Sequence, residues 1–325
     1  MGNPYIGHES QLYGVEEHRL VGGKGDGIRL LEVVNGCGLE LTLSPDRNCD
    51  IARLRVNGVN MSYFSPCGYV APAFYDKEGA NFLKSFTAGF LTTCGLEAVG
   101  SPCTDEGEVL PLHGSIANQP AEHVWWDKET EGKTEFLVVH SVTKDEVIFG
   151  RKLVLRREIR VSLSENTFFI TDTVENTGDT VQPLEILYHM NMGYPLLDEF
   201  SEVTIPSVKV TGRDAHAQED IENWMHMEPP QAGYQERCYY HEFEGATGFA
   251  SIHQPKKNVG LTITFARDNL DCFTEWKMMG VRDYVLGLEC GNCLPDGRDV
   301  MRREGKLKFI EPGEEKTFRV RIDCK

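Results

Sequence analysis

The chain has 325 residues, with 33 Lys plus Arg against 50 Asp plus Glu and a formal net charge of −17. Such an acidic balance speaks against a phosphate-binding surface for nucleic acid and against attraction to anionic membranes. It suits a protein whose substrate is a small neutral molecule, and no run approaches the ~18 apolar residues that span a bilayer. Met1-Gly2-Asn3-Pro4-Tyr5 lacks the basic and apolar stretches of an export signal, and Ile6 stands where a myristoylation motif has Ser or Thr. The ten cysteines are therefore expected to be free thiols in a reducing cytoplasm.

Taken in chain order, strand signals dominate. Gly22-Gly23-Lys24-Gly25-Asp26-Gly27 lacks the ending of a P-loop and the spacing of a dinucleotide fingerprint, so it reads as a turn. Leu39 to Leu43 alternates as a half-buried strand does. Arg47 and Asp50 follow, either paired structurally or free to bind hydroxyls. Tyr63 to Gly107 is rich in Gly, Pro, Cys and aromatics with little periodicity, and reads as a long loop laid over a sheet, where binding residues tend to sit. Lys77 to Phe86 within it is the best helical candidate. Phe136 to Val142 and Leu153 to Val161 are strands. Phe168 to Val174, a turn at 175–179 and Leu184 to Tyr188 read as a hairpin. Leu261 to Phe265 and Phe318 to Ile322 are late strands, the last preceded by a turn at Glu311-Pro312-Gly313-Glu314. Long amphipathic helical patterns are scarce and no linker divides the chain. The expectation is an all-β fold of antiparallel sheets packed face to face, one domain over 1–325, with 1–20 as a peripheral segment.

Three titratable residues stand out. His113 lies in Leu112-His113-Gly114, where a Gly directly after a His allows close approach of backbone or ligand. His189 closes the apolar run Leu184 to Tyr188, and a His can give or take a proton near neutrality. Glu289 closes another such run, where partial burial raises a carboxylate's pKa and makes it a better base. Each taken alone also fits a structural role. Trp276-Lys277 sets an aromatic face beside a cationic donor, which suits a sugar ring and its hydroxyls equally with a core Trp beside a surface Lys. Cys290-Gly291-Asn292-Cys293 is a lone CxxC without a second pair at zinc-site spacing, so neither a metal nor a cofactor is expected. Were a metal present, His113, His189 and Glu289 would be its ligands. No GxSxG nucleophile motif occurs.

In order, these segments resemble the aldose 1-epimerase (galactose mutarotase-like) family, and within it a poorly characterised bacterial branch. The likeness is carried by Pro45-Asp46-Arg47 with Asp50-Ile51, Phe64-Ser65-Pro66, Leu91-Thr92-Thr93-Cys94-Gly95-Leu96, Leu112-His113-Gly114, Tyr188-His189-Met190-Asn191, Glu275-Trp276-Lys277-Met278 and Gly287-Leu288-Glu289-Cys290-Gly291-Asn292. The resemblance implies a large β-sandwich, often called a supersandwich, and interconversion of the α and β anomers of a free sugar. It implies Glu289 as general base on the anomeric hydroxyl, His189 as general acid on the ring oxygen and His113 as a helper imidazole. His189 protonated and Glu289 ionised are expected to stabilise each other. The better-known members carry an Asn-Arg pair ahead of the Leu-His-Gly segment, whereas here Asn81 precedes Phe82. Arg47, Lys277 and Glu236 are candidates for replacement contacts. Alternatives on the same scaffold are another sugar isomerase or a lyase, metal-assisted or not, and a non-catalytic carbohydrate-binding protein. A homodimer is compatible with the sequence, and nothing in it specifies an interface.

Overall fold

The computed structural model describes residues 4–325, so Met1-Gly2 and the targeting reading placed on them lie outside the described residues. Three antiparallel sheets make the body. A five-stranded sheet contains Gly14–Arg19, Arg29–Val34, Leu39–Ser44, Asp50–Val56 and Val59–Asn60 in sequence order. An eight-stranded sheet includes His123–Glu131, Thr134–Glu146, Lys152–Ser162, Thr167–Asn176 and the C-terminal Glu315–Cys324. A six-stranded sheet runs in the order Lys209–Gly212, Arg237–Glu242, Cys272–Met279, Tyr284–Gly291, Glu185–Met192, Leu91–Leu96. This is the large antiparallel β-sandwich read from the sequence. The segment before residue 21 contributes one mostly exposed edge strand, Gly14–Arg19, to the five-stranded sheet.

Period-two alternation explains how the layers meet. In Thr167–Asn176, Phe168, Ile170 and Val174 face the core, and in the six-stranded sheet Ile186, Tyr188, Met190, Leu286, Leu288 and Cys290 face it from the other side. One ionic cluster sits inside this apolar layer. Arg157 is fully buried and donates to Asp172 (2.9 and 2.7 Å), to Asp50 (2.6 Å) and to Thr93 Oγ1 (2.7 Å). Tyr188 donates its hydroxyl to Asp172 at 2.8 Å, so the cluster ties all three sheets together.

Two expectations fail here. Thr167–Asn176 and Glu185–Met192 are not a hairpin, because the first lies in the eight-stranded sheet and the second in the six-stranded one. The turn between them carries the chain from one layer to the other. Lys77 to Phe86 forms no α-helix; only Asn81–Lys84 makes a 3-10 turn, beside Gly79 at φ +53°. The Tyr63 to Gly107 region is mostly irregular, yet it contains Leu91–Leu96, a strand buried at every residue. A strand covered on both faces has no reason to alternate, which hid it among its neighbours. All ten thiols are free, and no helix among the described residues is long and apolar enough to cross a membrane.

Candidate functional site

The face of the six-stranded sheet turned away from the sandwich core forms the floor of a cavity of about 530 Å³. Strand register decides which side chains reach it. His189 stands directly opposite Glu289 on one neighbour and Thr92 on the other, while Glu289 stands opposite Thr274, and Trp276 opposite Gly287. Residues opposite each other share a face, so His189, Glu289, Thr274 and Trp276 all project the same way. Irregular segments supply the walls: Phe82 and Phe86, Leu112 and His113, Arg213, Glu236, Pro295 and Asp296.

His189 Nε2 lies 3.2 Å from Glu289 Oε1, a close approach without the alignment of a strong hydrogen bond. The His113 ring meets the His189 ring edge to face at 5.5 Å, and Trp276 meets His189 from another side at 5.3 Å. Phe82 and Phe86 pack on the two imidazoles at 5.8 and 5.6 Å. Nδ1 of both histidines is buried without a protein partner.

Backbone detail holds these groups in place. His113 sits at φ +60°, a conformation few residues with a Cβ adopt, and its carbonyl accepts from Gly95 N at 3.0 Å. At Gly114 an added Cβ would lie 2.3 Å from the Gly95 carbonyl oxygen and 2.5 Å from that of Ala98, so only glycine lets this loop close on its neighbour. Gly287 leaves space for chemistry instead. A Cβ there would fall 2.3 Å from Glu289 Oε1.

Burial dominates the electrostatics. It pushes the Glu289 carboxyl well above the usual range, with Glu236 adding to the shift and Arg213 opposing it. It also pushes His189 well below 6.5, with His113 as the further cause. His113 falls to about 4, again through burial, with Glu236 opposing the shift and Arg213 adding to it. Burial thus disfavours the charged form of each partner and works against the mutual charge stabilisation expected from sequence. Charge attraction at 3.2 Å acts in the opposite direction, toward the ion pair. The neutral pair and the ion pair carry the same protons and differ only in where one of them sits.

Of the eight residues singled out in the sequence, the structure gathers five at the cavity: His113, His189, Glu289, Trp276 and Glu236. Trp276 Nε1 donates to Glu236 Oε2 at 2.7 Å, and Arg213 donates to Glu236 Oε1 at 3.0 Å. The other three lie elsewhere. Lys277 follows Trp276 on a strand and so points to the opposite face, where its buried ammonium donates to the Asn223 carbonyl at 3.2 Å. Arg47 is occupied by the carbonyls of Ala117, Val70 and Ser85, and Asp50 by Thr93 and Arg157. Both belong to the packing of the loop and the sheets. Sequence reasoning missed Arg213 and Asp296, which arrive from irregular segments. Asp296 accepts from the Tyr240 hydroxyl at 2.5 Å.

Residues 25–324 match a family described as a domain of unknown function, DUF4432. The chain belongs to the DUF4432 family. Among solved structures, this DUF4432 chain is similar to a "putative aldose 1-epimerase" from Klebsiella pneumoniae, with 25% identity, a TM-score of 0.90, and coverage of 97% of this chain and 86% of that one. It also superposes on a galactose mutarotase-like protein from Clostridium acetobutylicum, with 15% identity, a TM-score of 0.66 and coverage of 97% and 99%. A galactose 1-epimerase from Lactobacillus acidophilus gives 12% identity, a TM-score of 0.62 and coverage of 96% and 99%. No curated protein matches. The fold of this DUF4432 chain is that of the aldose 1-epimerase and galactose mutarotase-like proteins, as the sequence resemblance implied.

Proposed function

We propose that this protein interconverts the α and β anomers of a free sugar by general acid–base catalysis at His189 and Glu289. The observation that carries the reading is the 3.2 Å approach of these two groups on the floor of a cavity that also holds His113 and an indole face. A hemiacetal needs a proton removed from its anomeric hydroxyl and a proton delivered to its ring oxygen. Moving one proton from Glu289 to His189 produces the carboxylate and the imidazolium for those two tasks. Hydrogen bonds from sugar hydroxyls to the carboxylate, and from the imidazolium to the ring oxygen, offset the burial that disfavours the two charged forms.

Glu289 then takes the anomeric proton as His189 gives its proton to the ring oxygen. The bond between C1 and that oxygen breaks, leaving an open-chain aldehyde. Rotation about C1–C2 presents the other carbonyl face, and closure returns both protons with the roles reversed. The protein ends as it began. A positioned proton-transfer group is worth about 10²–10⁴-fold in rate. His113, kept neutral by burial, is placed to hydrogen-bond the reacting oxygens without competing for the transferred proton. Trp276 offers a stacking face, and Glu236 and Asp296 offer carboxylate oxygens to hydroxyls.

Saturation-exchange NMR between the α and β signals of a panel of free sugars tests the reading. Accelerated exchange with at least one sugar, lost in Glu289→Gln, is expected. No acceleration across the panel removes the assignment.

A further inference from the structure

Asn191 lies two residues after His189 on Glu185–Met192, so both side chains stand on the same face of the six-stranded sheet. It is fully buried and is not part of the cavity lining. Its backbone is fixed on both sides: the N–H donates to the Phe90 carbonyl at 2.8 Å, and the carbonyl accepts from the Tyr63 N–H at 3.0 Å. Across the ladder it stands opposite Gly287, the residue over which the Glu289 carboxyl lies.

The bonding of the amide orients it. Nδ2 donates to the His189 carbonyl oxygen at 3.0 Å, which leaves Oδ1 as the free end. Oδ1 is buried without a donor, and Nδ1 of His189 is buried without a partner as well. An amide oxygen only accepts, whereas an imidazole nitrogen accepts or donates according to the tautomer. The other ring nitrogen, Nε2, faces Glu289 at 3.2 Å. A neutral imidazole that is to receive a proton at Nε2 has its lone pair there and carries its own proton on Nδ1. That proton needs an acceptor. The rings packed on His189 from other sides are those of Phe86, which has none, of Trp276, whose N–H only donates and is given to Glu236, and of His113. Burial and His113 lower the His189 pKa, and hydrogen bonding with Asn191 opposes that fall. The last torsion of an asparagine is broad, so a small turn of the amide completes the bond.

We propose that Asn191 is a positioning residue for the proton-transfer step: its Oδ1 accepts the Nδ1 proton of His189 and so keeps Nε2 open toward Glu289. The inference rests on the reading of His189 and Glu289 as acid and base. Which ring nitrogen is protonated is set by the hydrogen bond that the other one makes. Through the cycle Glu289 passes its proton to Nε2, and Nε2 passes it to the ring oxygen. The Nδ1 proton never leaves, and the amide oxygen stabilises the imidazolium while it lasts.

Ring 15N NMR of histidine-labelled protein tests this, with the His189 signals assigned by their loss in His189→Ala. Wild-type protein without sugar is expected to show His189 protonated at Nδ1 and unprotonated at Nε2 near neutral pH. In Asn191→Leu that preference is expected to fall to a mixture or to reverse. In Asn191→Asp, which keeps an acceptor at the same place, Nδ1 is expected to keep its proton. With a sugar whose anomers the wild type exchanges, kcat in Asn191→Leu is expected to fall about tenfold or more and KM to stay within about threefold, as for loss of a residue that holds an imidazole in its working tautomer. An Nε2–H tautomer in the wild type overturns the proposal. So does an unchanged Nδ1–H form in Asn191→Leu, which would give the acceptor's place to His113. The wild-type spectrum needs neither a variant that folds nor turnover, so failure of the anomer-exchange reading shows separately, as absent exchange with the tautomer in place.

Discussion

His189 and Glu289 are direct cross-strand partners, with Nε2 and Oε1 3.2 Å apart, and burial disfavours the charged form of each. Removing the carboxylate while keeping its shape is the sharpest test of what the pair does. Glu289→Gln and His189→Ala are each expected to slow anomer exchange at least tenfold, within the ~10²–10⁴ range of a positioned proton-transfer group. Far-UV circular dichroism is expected to be unchanged. Wild-type rates in both variants would leave the cavity as a binding site only.

Gly287→Ala probes the same pair while leaving both residues chemically unchanged. The new Cβ would lie 2.3 Å from Glu289 Oε1 and 3.1 Å from Trp276 Cβ. The carboxyl has to swing away from His189, so kcat is expected to fall at least tenfold while KM changes less. An equal loss in both parameters would point to a blocked cavity instead.

The pH behaviour follows from His113, whose pKa of about 4 lies below the ordinary ~6.5 of an unfolded histidine. Below 6.5 the unfolded chain binds a proton that the native one refuses. The contribution of His113 to stability is therefore present above pH 6.5 and lost as pH falls toward 4. Its size is of the order of 2 kcal/mol, allowing for a ring that is partly open to the cavity. Urea denaturation at pH 7 and pH 4.5 is expected to show a smaller drop for His113→Asn than for wild type. Equal drops would mean that His113 titrates normally.

Asp50 and Arg157 separate architecture from binding. Arg157→Met leaves Asp172 and Asp50 buried without their cation, and loss of one partner from such a pair costs about 3–5 kcal/mol. Asp50→Asn is likewise expected to lower the thermal midpoint while leaving KM for the sugar unchanged. A raised KM at unchanged stability would return Asp50 to the substrate.

Trp276→Phe keeps a ring and removes the donor that fixes Glu236 at 2.7 Å. KM is expected to rise about three- to tenfold, the net worth of a typical hydrogen bond, with kcat within threefold. A fall in kcat alone would place the indole in the proton-transfer step.

What the sequence disclosed depended on how local each signal was. Phe168, Ile170 and Val174 announce their strand because every second residue meets the core, and Glu289 and His189 stand out because a titratable residue interrupts an apolar run. Leu91–Leu96 did not show itself, since burial on both faces erases alternation. The crossing between Asn176 and Glu185 looks like an ordinary turn because a turn's residues do not record which sheet comes next. Arg213 and Asp296 reach the cavity only through tertiary folding. Lys277 is different: the alternation that placed Trp276 at the cavity already turned its neighbour away, and that signal lay in the sequence.

Tyr188 and His189 are adjacent in the chain and face opposite ways, one bonded to the Asp172 and Arg157 cluster, the other at the cavity. Sliding Glu185–Met192 by a single position would bury the imidazole among apolar side chains and present the phenol to the cavity. Relatives can therefore diversify the cavity by substitution, whereas an insertion or deletion between Leu184 and His189 removes an interlayer anchor and turns His189 away from the cavity in one event. Length in that stretch is the quantity selection has to guard.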